Sequence, residues 1–200
     1  MAAGSAGSAQ QLRSSELLLR ILMRGVIDAD SARNLSIEVG LNADVLNRLI
    51  AEGALADDEG LLYVTETGDH RLTEELHAQV APSEAPALAA FAEQFDVLDL
   101  EVKSALTAWQ RAIRDGDAEG QVGAVERWLD VDARLRAAAG RTQAPTRILG
   151  SCLARLEYAR ERVLDGDSGQ LSGADDSSYH NVWFLMHEML LRMLRRERKG

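Results

Sequence analysis

The densest run of chemically capable side chains in this 200-residue sequence is Ser177 to Leu191, which holds Tyr179, His180, Trp183, His187 and Glu188. On a helix turning about 100° per residue, His180, Trp183, Phe184, His187 and Leu191 share one face. Val182, Leu185, Met186, Met189 and Met193 cover the other side. A helix apolar nearly all round is buried among other elements or lies in a subunit interface. The width of its apolar surface predicts a homodimer.

A metal site on this helix alone is not expected. His180 and His187 stand about 10.5 Å apart along a helix axis, whereas two imidazoles chelate one ion best at three- or four-residue spacing. Glu188 is rotated about 100° from His187. The zinc-protease pattern H-E-x-x-H also fails, because Leu191 occupies the second histidine position. A ligand-binding or acid–base role suits the residues better, since imidazole titrates near neutral pH and binds anions. Thr107, Trp109 and Gln110 on a second helix would complete a pocket for an aromatic or phosphorylated small molecule. The competing reading makes the histidines hydrogen-bonded core groups and the aromatics packing. No catalytic residue and no cofactor is assigned.

The elements that must position these groups fall into two regions. A small, polar start, residues 1–13, reads as a flexible tail without a charged-then-apolar leader pattern. Ser14 or Ser15 then caps a helix with Leu17, Leu18, Ile21 and Leu22 inward. Asp30 caps a helix to Val39, and Asn42 caps another, Ala43 to Glu52. Leu55 and Leu61–Thr65 flank the acidic turn Asp57-Asp58-Glu59-Gly60 as two strands, and a helix from about Asp69 to Val80 follows. Prolines 82 and 86 mark a hinge at 81–87.

Beyond the hinge the sequence reads as helices only. Phe91, Phe95, Leu98, Val102, Leu106 (or Ala105), Trp109 and Ile113 form one stripe to about Arg114. Val122, Val125, Trp128 (or Leu129) and Leu135 form the next, to about Ala139. A third helix runs from about Thr146 to Leu164. Residues 165–176 read as a loop, and Ser177 or Ser178 caps the last helix. The expected fold is mainly α: a winged helix at 14–80, then an antiparallel four-helix bundle at 88–200. Arg192, Arg195, Arg196, Arg198 and Lys199 complement the negative end of the last helix.

Tyr63-Val64-Thr65-Glu66-Thr67-Gly68 resembles the wing-to-helix segment of MarR-type winged-helix proteins, and 31–53 resembles their helix-turn-helix. That resemblance implies DNA binding through Asn42, Asn47 and Arg48. Ser178-Tyr179-His180-Asn181-Val182-Trp183-Phe184 with His187-Glu188, and Thr107-Ala108-Trp109-Gln110, resemble the C-terminal segment of actinobacterial proteins related to phosphoenolpyruvate synthase and pyruvate phosphate dikinase. The family pattern has acidic residues where Ala108, Leu185 and Met189 stand here. A Gly-rich nucleotide loop and a phosphohistidine motif are both missing from the sequence.

Charge weighs on these readings. Net charge is −10, and residues 10–80 carry six arginines, no lysine and thirteen carboxylates. Affinity for phosphates requires cations that displace counterions, and here the field has the opposite sign. A lone cysteine, Cys152, excludes an intrachain disulfide, and no apolar run reaches the ~20 residues that span a bilayer. These features predict a cytoplasmic protein without membrane partners. The first functional reading is a regulatory or accessory protein whose helical region binds a small molecule or a protein partner. The alternatives are a MarR-like DNA-binding regulator and a separate subunit of a phosphoenolpyruvate-utilising phosphotransferase system.

Overall fold

The structure is a computed structural model that describes residues 3–42, 44–141, 146–173 and 175–197. It is mainly helical, with one small antiparallel sheet. Two compact units divide it: Met1–Val80 with Glu188–Gly200, and Ala81–His187. The division after Val80 adjoins the expected hinge at 81–87, and Glu188–Gly200, expected in the helical region, groups with the first unit.

In the first unit the order is α1 (Ala3–Arg24), β1 (Val26–Asp28), α2 (Ala29–Glu38), α3 (Asp44–Ala51), β2 (Leu55–Asp58), β3 (Leu61–Val64) and α4 (Glu66–Ala78). Its core is built by the expected stripes: Leu17, Leu18 and Ile21 of α1, Leu35 of α2, Val45, Leu46 and Leu49 of α3, and Leu72 and Leu76 of α4 are buried. β3 lies between β1 and β2, antiparallel to both. The β2–β3 hairpin closes through Glu59 and Gly60, both at positive φ (52° and 87°). Two such residues in a two-residue loop match the twist of the strands.

Several local expectations change. Helix α1 begins at Ala3, so the tail boundary at residue 13 falls inside a helix, and Ser14 and Ser15 are not caps. Their hydroxyls bond back to the carbonyls of Gln10 and Gln11. Asp28 rather than Asp30 caps α2, accepting from the backbone N–H of Ser31 at 2.8 Å. The short strand β1 carries too few residues to show an alternating pattern. Residue 43, after the expected cap Asn42, lies outside the described residues. Thr65 caps α4 by accepting from Gly68 N–H at 3.0 Å, three residues ahead of the expected start.

The second unit opens at Ala81, whose backbone N–H donates to the Glu84 carboxylate at 3.1 Å. Helix α5 (Ala85–Asp115) starts with Pro86 in its first turn, where a missing N–H costs nothing. Gly116, at φ 69°, ends it and reverses the chain into α6 (Ala118–Arg141). Helix α7 (Thr146–Leu164) follows, then a short helix α8 (Gly169–Ser172) inside the stretch expected to be a loop. Helix α9 (Tyr179–Met193) begins after Ser178, whose hydroxyl faces the N–H of Asn181 at 3.4 Å.

Neighbouring long helices run in opposite directions. Arg134 reaches Glu101 and Arg141 reaches Gln94, so pairs on α5 and α6 ascend one helix while descending the other. Arg136 with Glu157 and Asp132 with Arg160 do the same for α6 and α7. The α5 stripe is as expected through Trp109, but Ala112 replaces Ile113 inward, and Ile113 is exposed. Val122 of α6 also faces out, with Ala124 buried instead.

The end of the chain does more than complement a helix dipole. Arg192 pairs with Asp69 at 2.7 Å and donates to Thr73 at 2.8 Å, while Arg195 pairs with Glu74 at 2.7 Å. His77 Nδ1 lies 2.7 Å from the Met193 carbonyl. These contacts with α4 explain why the last turns belong to the first unit. Arg198 and Lys199 lie outside the described residues.

Candidate functional site

Helix α5 places a carboxylate inside its own apolar stripe: Asp99 follows Phe95 by four residues and precedes Val102 by three, and all three are buried. Helix α6 repeats the device with Asp132, between Trp128 and Leu135. A buried carboxylate is costly unless its lone pairs are satisfied. Helix α9 supplies the donors. Trp183 Nε1 donates to Asp99 Oδ1 at 2.9 Å, and Tyr179 Oη donates to Asp132 Oδ1 at 3.1 Å.

Cations complete each site. Lys103, one turn along α5, donates to Asp99 Oδ2 at 2.6 Å. Arg136 and Arg160 approach Asp132 Oδ2 at 2.7 and 3.3 Å. Even so, burial holds the Asp132 carboxyl above its ordinary range, against the pull of the two guanidinium groups and Tyr179. Burial first, and then the Asp132 charge, push the Tyr179 phenol well above its usual value. Tyr179 is thus a donor and not a titrating group near neutral pH.

The aromatic rings pack continuously between these two anchors. Trp183 stacks on Phe95 at 4.5 Å and on Tyr179 at 6.0 Å, and Trp128 meets Tyr179 edge-on at 5.0 Å. His187 is tilted against Phe95 at 5.5 Å, with Nδ1 3.9 Å from Asp99 and Nε2 4.0 Å from Asp96. His180 is half-buried, edge-on to Phe184 at 5.0 Å, and Lys103 lies over the same Phe184 ring at 5.5 Å. Desolvation, followed by the Lys103 charge, lowers the His180 pKa below the ordinary value, while Asp99 opposes the shift.

The structure therefore brings Tyr179, Trp183 and His187 together on one buried face, with His180 at its margin. Thr107 and Gln110 are exposed on α5, and Trp109 is buried. No hydrogen bond or ring contact joins these three to α9 among the described residues. Glu188 is half-buried and belongs to the first unit. Leu185 and Met189, at two positions where the phosphoenolpyruvate-related pattern carries acids, are buried core residues. No cluster of three or more potential metal ligands is found among the described residues.

Sequence reasoning missed Asp99 and Asp132, neither of which it singled out. Their signal was legible: each interrupts an apolar stripe at a position that must face inward. An open cavity of about 560 Å³ lies elsewhere, in the groove between α5 and α6, lined by Leu100, Ser104, Gly123, Glu126 and Arg127 among others. None of the expected ligand-binding residues lines it.

Five arginines of the first unit face partners within that unit. Arg13 donates to the Gly40 carbonyl at 3.2 Å, and Arg20 pairs with Glu38 at 2.7 Å. Arg33 pairs with Asp30, and Arg71 pairs with Glu52 and Glu75. Arg48, the expected DNA-contacting cation, lies 4.0 Å from Glu52 and 3.4 Å from the Ser14 hydroxyl. Asn42 and Asn47 are exposed, with the Asn42 amide 3.5 Å from Asp44. Compared with known protein families, curated proteins and solved structures, the chain matches none.

Proposed function

We propose that this chain is a regulatory or accessory protein that joins a winged helix, residues 14–80, to an antiparallel helical bundle that binds a partner or small ligand. The order helix, strand, two helices, two strands, helix, with the third strand central, supports the winged-helix assignment. The opposed directions of α5, α6, α7 and α9 support the bundle. No catalysis is assigned to the chain alone.

The observation that carries the reading is the engagement of five arginines of the first unit by groups of that same unit. Exposed ion pairs are each worth only ~0–1 kcal/mol, so a phosphate could displace any one of them. Asp30, Glu38, Glu52 and Glu75 would then lose their cations, and the thirteen carboxylates of residues 10–80 would stand beside the phosphate backbone. That balance favours a protein partner over DNA. In the bundle, the α9 donors are bound to Asp99 and Asp132, so the reading moves the ligand or partner surface to the α5–α6 groove.

The homodimer expectation loses its original motive, because Val182, Leu185, Met186, Met189 and Met193 are buried within one chain. The test is cross-linking of the tagged full chain in cells, with DNA and protein recovered separately. Protein adducts without enrichment of discrete DNA sites are expected. Enrichment of discrete sites would replace this reading with the DNA-binding regulator.

A further inference from the structure

The outer face of the three-stranded sheet is apolar at its centre. Cross-strand partners share a face, so the register sets out two rows there: Val26, Tyr63 and Ala56, then Asp28, Leu61 and Asp58. Val26 is 56% exposed, Leu61 49% and Tyr63 39%, whereas Ile27, Leu55 and Leu62 are buried beneath them. A solvated sheet face usually alternates to polar residues. Three large apolar side chains on so small a sheet are an interaction surface rather than scattered exposure.

The rim identifies the chemistry of its occupant. Asp28 and Asp58 flank Leu61 from the two outer strands, and two strand spacings put them about 10 Å apart. Glu59 adds a third carboxylate at the hairpin turn, whereas Asp57 pairs with Leu62 on the other face and accepts from Gly60 N–H. None of Asp28, Asp58 and Glu59 is paired with a cation among the described residues. Asp28 is held anionic by Ser31, whose backbone N–H and hydroxyl donate at 2.8 and 2.7 Å and lower its pKa.

We infer that this face docks a basic protein segment, one that sets an apolar side chain on Leu61 and Tyr63 and lysines or arginines against Asp28 and Asp58. A second copy through the same face would oppose Asp28, Asp58 and Glu59 to the same three carboxylates, a like-charge juxtaposition that costs association. Nucleic acid and anionic lipid are disfavoured by the same charge. The inference rests on the partner-binding reading of the first unit and names the partner's chemistry.

The test uses the full chain, isotopically labelled, and a short synthetic peptide of alternating lysine and leucine. Lysine–serine and glutamate–leucine peptides are the comparisons. Amide resonances of Val26, Ala56, Asp58, Leu61 and Tyr63 should shift with the lysine–leucine peptide. Leu61→Ser with Tyr63→Ser should weaken binding at least ~10-fold, as a lost apolar anchor does. Asp58→Lys should weaken it and flatten its salt dependence, and Asp58→Asn should do so to a lesser degree. All are exposed positions, and circular dichroism checks that each variant folds. Equal binding of the lysine–serine peptide, shifts confined to other residues, no binding, or self-association abolished by Leu61→Ser would each overturn the assignment. Duplex DNA on this face would defeat the partner reading as well, whereas absence of both peptide and DNA binding defeats only this docking surface.

Discussion

Trp183 Nε1 donates to Asp99 Oδ1 across 2.9 Å, linking the middle of α9 to the middle of α5 through a carboxylate inside an apolar stripe. Removing the donor leaves a buried charge with Lys103 as its remaining close partner. Trp183→Phe should therefore destabilise the fold by about 2 kcal/mol through the lost charge-assisted bond, in addition to lost packing. Asp99→Asn should cost less, since an amide oxygen still accepts from the indole. Denaturant unfolding of both variants and their double mutant measures the coupling; independent, additive effects would contradict the bond's role.

Acid dependence should come from Asp132. Its folded pKa is raised, mainly by burial, so between the unfolded value near 3.8 and the folded value the native state binds more protons than the unfolded state. Stability contributed by this group is thus lost as pH rises through that window. Asp132→Asn should remove that downward component, visible as a pH-dependent difference between the two unfolding curves. A difference independent of pH would show that Arg136 and Arg160 offset the burial fully.

His180 should act with the opposite sign. Its folded pKa lies below the ordinary 6.5, chiefly through desolvation, so the unfolded chain takes up its proton first as pH falls. Stability from this group is present above the unfolded value and declines as pH drops through and below it. His180→Gln should flatten the stability profile just below pH 6.5. An unchanged slope would assign the dependence to another group.

The expected helices of the second unit were legible because their apolar residues recur every three or four positions and their ends carry turn residues. Phe91, Phe95, Leu98, Val102 and Trp109 were all found inward. Ile113 and Val122 failed because hydropathy alone does not say where an apolar stripe ends at a helix–helix turn. Strand β1 is three residues long and α8 four, both too short to show a period. The candidate site was half legible. Tyr179, Trp183 and His187 were singled out as one cluster, but their partners depend on which helices meet, and spacing along one helix cannot show that. The burial of both indole and phenol donors then favours an internal anchor over an open pocket.

Gly68 tests the hairpin-to-helix junction of the first unit. A Cβ there would stand 2.0 Å from the Ala54 carbonyl oxygen, which also accepts from Thr65 N–H. Gly68→Ala must displace backbone and should cost about 3 kcal/mol, the upper part of the usual overpacking range. Thr65→Ala, which removes the cap and the hydroxyl's 2.6 Å bond to the Gly53 carbonyl, should cost about 2 kcal/mol. Thermal unfolding of the two variants checks the order; a milder effect at Gly68 would contradict the close approach.

The central claim is that the first unit is built for a protein partner and not for phosphates. Fluorescence anisotropy with labelled random-sequence duplex and with the chain's own upstream duplex, titrated at low salt, tests it most directly. The account predicts no saturable binding of either duplex, even where electrostatic attraction is least screened. Saturable binding that weakens steeply with added salt and falls on Arg48→Ala would contradict it.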